Sequence, residues 1–180
     1  MKILSSTGSE LAEIPDSRCK THGDVISIND VNLSSSHLSK GILSNLIFTL
    51  GDFDGAVFEG GSLKNINFQG SIMFDVDMRQ ARIEDSIFYG IQGYGAKFQN
   101  SVLRNVRFLG SNMQGADFSG STLDGVIIGR DNTDHLSDIS GADFADANLD
   151  GVRFEGAKYD NFTDFPDGFD PSSCAGLQKA

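Results

Sequence analysis

Every fifth residue of this chain is large and apolar. Steps of five from Ile28 run through Leu33, Leu38, Leu43 and Phe48 to Phe118, Leu123 and Ile128. Of these 21 positions, 20 are bulky and apolar, and the exception is Gly93. Only 39 % of the chain is apolar, so chance does not produce such a run. A helix repeats at about 3.6 residues and a strand at about 2, so a period of five belongs to neither. The chain must instead turn every five residues. After Ile128 one extra residue is expected somewhere in residues 129–138, and the frame resumes at Ile139, Phe144, Leu149, Phe154 and Tyr159.

The residues around each apolar centre describe the turn. Two before it the chain is often small, as at Ala56, Ser71, Ala96, Ser111, Ala116 and Ala142. Two after it stand Gly55, Asn65, Asp75, Gly90, Asn100, Gly110 and Gly120. Gly, Asn and Asp tolerate positive φ, which sharp turns require. Each unit is therefore a short extended piece followed by a corner. The centre and the residue two before it point inward together, by strand alternation.

Runs such as GADFS (115–119), GAKFQN (95–100) and GADFADANLDG (141–151) resemble the A-(D/N)-L-x-x motif of the pentapeptide-repeat family. The resemblance covers residues 26–162. It implies an all-β fold, a right-handed quadrilateral parallel β-helix with four units and about 20 residues per coil. Stacked columns at a spacing of 20 agree with this. One column reads Phe48, Phe68, Phe88, Phe108, Ile128; another Leu38, Phe58, Met78, Phe98, Phe118. A solenoid needs covered ends. Residues 1–25 are expected to cap the first coil and residues 163–180 to form a closing cap or tail. The latter resemble closing segments of cyanobacterial and plant pentapeptide proteins.

The net charge of −11 is unevenly placed: residues 1–40 carry −1, residues 41–130 carry −2 and residues 131–180 carry −8. No basic stripe exists, which argues against direct nucleic-acid binding. No apolar run is long enough for a transmembrane segment. No signal peptide is read in the first 25 residues, so a cytoplasmic location is expected; the thylakoid lumen after processing and secretion as an effector stay open. Cys19 and Cys174 lie near opposite ends and are expected to be free thiols.

Catalysis is not expected. His22, His37 and His135 are dispersed, with no nucleophile and orienting acid at a recognisable spacing. Asp131, Asn132, Asp134 and Asp138 cluster near the insertion but lack calcium-loop spacing, and read as a polar surface loop. Residues 90–95 are Gly-rich but lack the Lys and the strand-to-helix context of a phosphate loop. No cofactor or metal is implied. At Gly93, either a bulge lets Tyr94 or Ile91 fill the core, or the coil carries a dent.

What remains is surface. Positions just after the centres should face outward, and among them Phe74, Tyr89, Tyr94 and Leu109 are apolar or aromatic. A second outward stripe, just before the centres, holds Ile47, Ile87 and Ile127. Exposed apolar residues grouped on a rod imply a partner, either another protein or a second copy of the chain. The expected function is a non-enzymatic protein-interaction scaffold. The alternative implied by the family is a DNA-mimicking inhibitor or protector of gyrase, a type II topoisomerase. Arg79, Arg82, Arg104 and Arg107 interrupt the row of acids that this would need.

Overall fold

The computed structural model describes residues 1–5 and 7–180. Its core is a stack of four-sided coils. Parallel pairing joins residues 20 apart, as at Phe48 with Phe68, Phe68 with Phe88 and Phe88 with Phe108. We call the sides face one (centres Ile28, Phe48, Phe68, Phe88, Phe108, Ile128, Phe154), face two (Leu33, Phe53, Met73, Gly93, Met113, Ile139, Tyr159), face three (Leu38, Phe58, Met78, Phe98, Phe118, Phe144, Phe165) and face four (Leu43, Leu63, Ile83, Leu103, Leu123, Leu149). In the middle coils faces one and four form continuous ladders, while faces two and three pair through single bridges such as Ile72 with Gln92 and Lys97 with Asp117.

Corners follow the chemistry read from the sequence. Asn65, Asp75, Asp85, Asn100 and Asn105 sit at φ between 50° and 56°, and Gly55, Gly90 and Gly120 at 61–63°. Leu50 takes the same conformation, φ 56°, without a residue type that favours it. The Asp or Asn before each centre has a matching local role. Its side-chain oxygen accepts the N–H two residues on, as at Asp117 to Ser119 (2.9 Å), Asp143 to Ala145 (2.8 Å) and Asn148 to Asp150 (2.8 Å). Buried serines do similar work between coils. The backbone N–H of Ile66 donates to the Ser86 hydroxyl (3.1 Å), and that of Ser111 to the Ser137 hydroxyl (3.2 Å).

The core is built from columns of rings. Phe88 and Phe108 stack at 4.8 Å, Phe98 and Phe118 at 4.7 Å, and Phe118 and Phe144 at 5.0 Å. These spacings match the distance between paired strands. Rings of adjacent faces meet edge to face, as Phe98 does with Phe108 at 5.8 Å. Such pairs add about 0.5–1.5 kcal/mol beyond area burial.

Antiparallel strands cover the first coil. Lys2–Ser5 pairs with Glu10–Glu13 and lies against Gly41 and Ile42 on face four. Cys19–His22 pairs with Val25–Asn29 on face one. Ile3 and Ile14 are buried against the core. At the other end Phe165 stacks under Phe144 at 5.7 Å, Phe169 under Phe165 at 5.0 Å, and Leu177–Lys179 pairs with Ala157–Tyr159. Both cysteines are free.

The insertion is larger than one residue. Ile127 pairs with Arg153 and Ile128 with Phe154, 26 residues apart rather than 20. Six residues therefore leave the coil as a loop between faces one and two. Counting by fives hid this, because a looped-out segment one unit plus one residue long shifts the frame by only one.

At Gly93 the expected filling by Ile91 occurs, but without a bulge. Bridges from Ile72 to Gln92 and from Gln92 to Asn112 keep the column in register. A Cβ on Gly93 would lie 2.7 Å from the Met113 sulfur and 3.1 Å from Ile91 Cδ1, so those two side chains occupy the space. The coils above and below pair a small residue with a large centre, Ser71 with Met73 and Ser111 with Met113. In this unit the sizes are exchanged, Ile91 with Gly93. Tyr94 stays outside.

A candidate protein-interaction surface

Phe74 and Tyr94 occupy successive positions in the outward column of face two, where the bridge from Ile72 to Gln92 keeps their coils in register. Their relative exposures are 38 % and 55 %. Two residues that the sequence reading missed join them. Ile72 stands beside Phe74 on the same outward side, at 40 % exposure. Leu50 lies at the corner leading onto this face, packed over Gly70, at 62 % exposure. Both were detectable by column. Ile72 stands among Asn32, Asp52 and Gln92, and Leu50 among Asp30, Gly70, Gly90 and Gly110. Asp52 and Asp54 border the strip in the preceding coil.

Tyr89 and Leu109 lie on face one and are only half-exposed. The insertion folds back along the shared edge of faces one and two, and the Tyr89 hydroxyl donates to Asn132 Oδ1. Tyr89, Leu109, Ile87 and Asn132 line a shallow groove of about 360 Å³ with Arg107 among its walls. Ile47 and Ile87 are half-buried. Ile127 does not belong to an exposed stripe: it is buried at 9 %, between Arg107 and Arg153 in its ladder.

The insertion organises itself. Asp131 Oδ1 accepts from the Thr133 N–H (2.8 Å), the Thr133 hydroxyl (2.8 Å) and the His135 N–H (3.0 Å). Desolvation pushes the Asp131 pKa up, but these hydrogen bonds outweigh it and lower it to about 2. Asp134 pairs with Arg130 at 3.3 Å, and Asp138 turns away to Lys158 (2.9 Å) and Gln114 (2.7 Å). The four polar residues noted at the insertion thus do not converge. Among the described residues no group of His, Cys, Asp and Glu is arranged to hold a metal ion. Thr133, His135 and Asp131 do meet, but imidazole Nδ1 alone faces both oxygen groups, at 2.7 and 3.3 Å. One nitrogen cannot relay a proton between a hydroxyl and a carboxylate.

Face four carries alternating charge. Lys64, Glu84, Arg104 and Asp124 form one column, with ion pairs at 4.0, 3.9 and 3.8 Å. Arg82 also reaches Glu84, at 2.5 Å. On face three Arg79 holds Asp77 through bonds of 2.6–3.1 Å. Desolvation raises the pKa of Asp77, yet the Arg79 guanidinium more than offsets it and the net shift is downward.

A coiled stack of five-residue units with a dry aromatic core defines a β-solenoid class, and comparison names the family. The family model described as pentapeptide repeats matches residues 52–90, 94–128 and 137–158 in eight copies, a little over half of the chain. The chain belongs to the pentapeptide-repeat family, and its fold is the right-handed quadrilateral β-helix. The two gaps in the match fall at the Ile91–Gly93 exchange and at the looped-out insertion. Similar solved structures include HetL, a pentapeptide repeat protein involved in heterocyst differentiation regulation from the cyanobacterium Nostoc sp. strain PCC 7120. It is 14 % identical, with 84 % of this chain and 82 % of that one covered and a TM-score of 0.35. Rfr23 from the cyanobacterium Cyanothece 51142 is 15 % identical over 77 % and 90 %, with a TM-score of 0.40. QnrB1, a plasmid-mediated fluoroquinolone resistance protein, is 16 % identical over 86 % and 93 %, with a TM-score of 0.35. No curated protein matches the chain in sequence. Among the described residues no helix is long and apolar enough to cross a membrane.

Proposed function

We propose that this protein is a non-enzymatic interaction scaffold that binds another protein through the strip centred on Phe74 and Tyr94. The observation that carries this reading is the grouping of Leu50, Ile72, Phe74 and Tyr94 on one edge and face of the middle coils. Aromatic side chains held on rigid backbone lose little entropy on binding and make effective anchors. Tyr89, Leu109, Ile47 and Ile87 flank the strip around the neighbouring face; Ile127 is too buried to take part.

The DNA-mimicking alternative is disfavoured by the ion pairs. An inhibitor that imitates duplex DNA needs an unbroken row of carboxylates, whereas the face-four column alternates in sign and Asp77 is neutralised by Arg79.

The test is Phe74→Ser combined with Tyr94→Ser. Both side chains point outward, so circular dichroism and thermal melting should match the wild type. Affinity capture from a lysate of the source organism should lose a specific band with the double variant. If both proteins retain the same bands and elute alike from a sizing column, the strip is not the contact surface.

A further inference from the structure

The ladder of face four stops without a final layer. In the preceding coil the Leu123 N–H donates to the Asn148 carbonyl (3.0 Å), and the Asn148 N–H donates back to the Ser121 carbonyl (2.8 Å). One coil earlier the Asn105 N–H donates to the Asp124 carbonyl (2.9 Å), a bond that the Gly125 N–H of the preceding coil does not repeat. In the last coil the N–H of Leu149 and the carbonyl of Ala147 correspond to the bonded groups of the preceding coil, and neither is hydrogen-bonded within the described chain. The other sides differ. Face two is continued by Leu177–Lys179, face three by Asp164 bonded to Phe144 and Ala142, and face one is crossed by Gly176 against Phe154.

Beside this open edge lies a groove of about 390 Å³. Ala147, Leu149, Pro166 and Phe169 supply its apolar wall, and Asp150 and Asp167 its charge. Neither carboxylate has an ion-pair partner among the described residues. The segment around it holds most of the net negative charge of the protein. Unpaired strand edges are templates for an added strand, and the carboxylates set the charge of what is added.

We propose that Ala147–Gly151 is a strand-addition site for a basic, extended segment of a partner protein, which would complete face four in the parallel sense. By the register of the coils above, one incoming residue gives its N–H to Ala147 and takes the Leu149 N–H on its carbonyl. The side chain that follows is apolar and packs toward Leu149 and Phe169. Its neighbours are Lys or Arg, facing Asp150 and Asp167. This site does not depend on the Phe74–Tyr94 surface.

The probe is the blocked peptide Lys-Ala-Arg-Leu-Lys-Gly, titrated into the full chain and followed by amide NMR. The Leu149 amide should shift on binding. Methylating the peptide nitrogen of Arg removes the bond to Ala147 and should weaken binding about tenfold. Asp150→Asn with Asp167→Asn should weaken it severalfold, and a peptide with Glu in place of Lys and Arg should not bind. The Phe74→Ser, Tyr94→Ser variant should bind the peptide as the wild type does. The proposal is overturned by absence of a shift at Leu149, by equal binding of the methylated peptide, or by equal binding of the Glu peptide. Loss of binding in the Phe74, Tyr94 variant would assign the peptide to the other surface.

Discussion

The middle coils and the last coil are built from the same unit and behave differently. From Leu33 to Ile128 nearly every side chain sits on its like: Phe48, Phe68, Phe88 and Phe108 form one unbroken stack. From Arg130 onward the spacing changes to 26 between Ile128 and Phe154 and to 21 between Asp143 and Asp164, and one side ends without a partner. Identical stacking gives each residue the same environment, so a change of volume in the middle must be matched by a neighbour, as Ile91 matches Gly93. Broken stacking leaves half-buried rings, a self-bonded loop and an edge whose Leu149 N–H and Ala147 carbonyl are unbonded within the described chain.

Ring removal should break the comparison most visibly. Phe108→Ala opens a cavity between stacked neighbours and should cost about 3–5 kcal/mol. Phe169→Ala, in a half-buried ring of the closing layer, should cost about 1–2 kcal/mol. Urea midpoints at unchanged slope measure both, and equal losses would mean that the closing layer is as tightly packed as the middle.

A smaller effect is expected at Ile91 and Gly93. Gly93→Met alone drives its side chain into Met113 and should cost about 1–3 kcal/mol. Ile91→Ser alone leaves a void. Together they recreate the Ser-x-Met unit found at Ser71–Met73 and Ser111–Met113, and the pair should be more stable than the sum of its parts by about 1–3 kcal/mol. Additive losses would show that Ile91 does not fill the space of the missing centre.

The smallest effect concerns the insertion. The folded pKa of Asp131 is held down to about 2 from an ordinary 3.8. Its contribution to loop order is therefore complete above pH 4 or so and is lost as pH falls toward 2. The protection factors of the Thr133 and His135 amides, exchange rates corrected for the intrinsic pH dependence, should fall over that window while those of Phe88 and Phe108 hold. A uniform fall would mean that the loop and the coils open together.

Most of the coil was legible because its determinants are local and repeat. Small residues two before many centres, Asn, Asp or Gly at most corners, and matching columns at a spacing of 20 all bear on one residue and its nearest copies. Phe74 and Tyr94 were legible for the same reason, since alternation alone places them outside. Ile72 and Leu50 were legible too, had each outward column been read for its odd member.

The amino-acid sequence thus determined the period, the corners and the outward aromatic column, because in a solenoid each unit sees only its neighbours, and its columns at a spacing of 20 agree with the four-sided coil that the family resemblance implies. Tertiary structure alone decided three matters. A six-residue loop folds back onto Tyr89, 43 residues before Asn132. Ile91 and Met113 occupy the place of a missing centre. One side of the last coil stays open beside Asp150 and Asp167. Each depends on which segment comes to lie against which once the chain leaves its period, and no five-residue pattern carries that information.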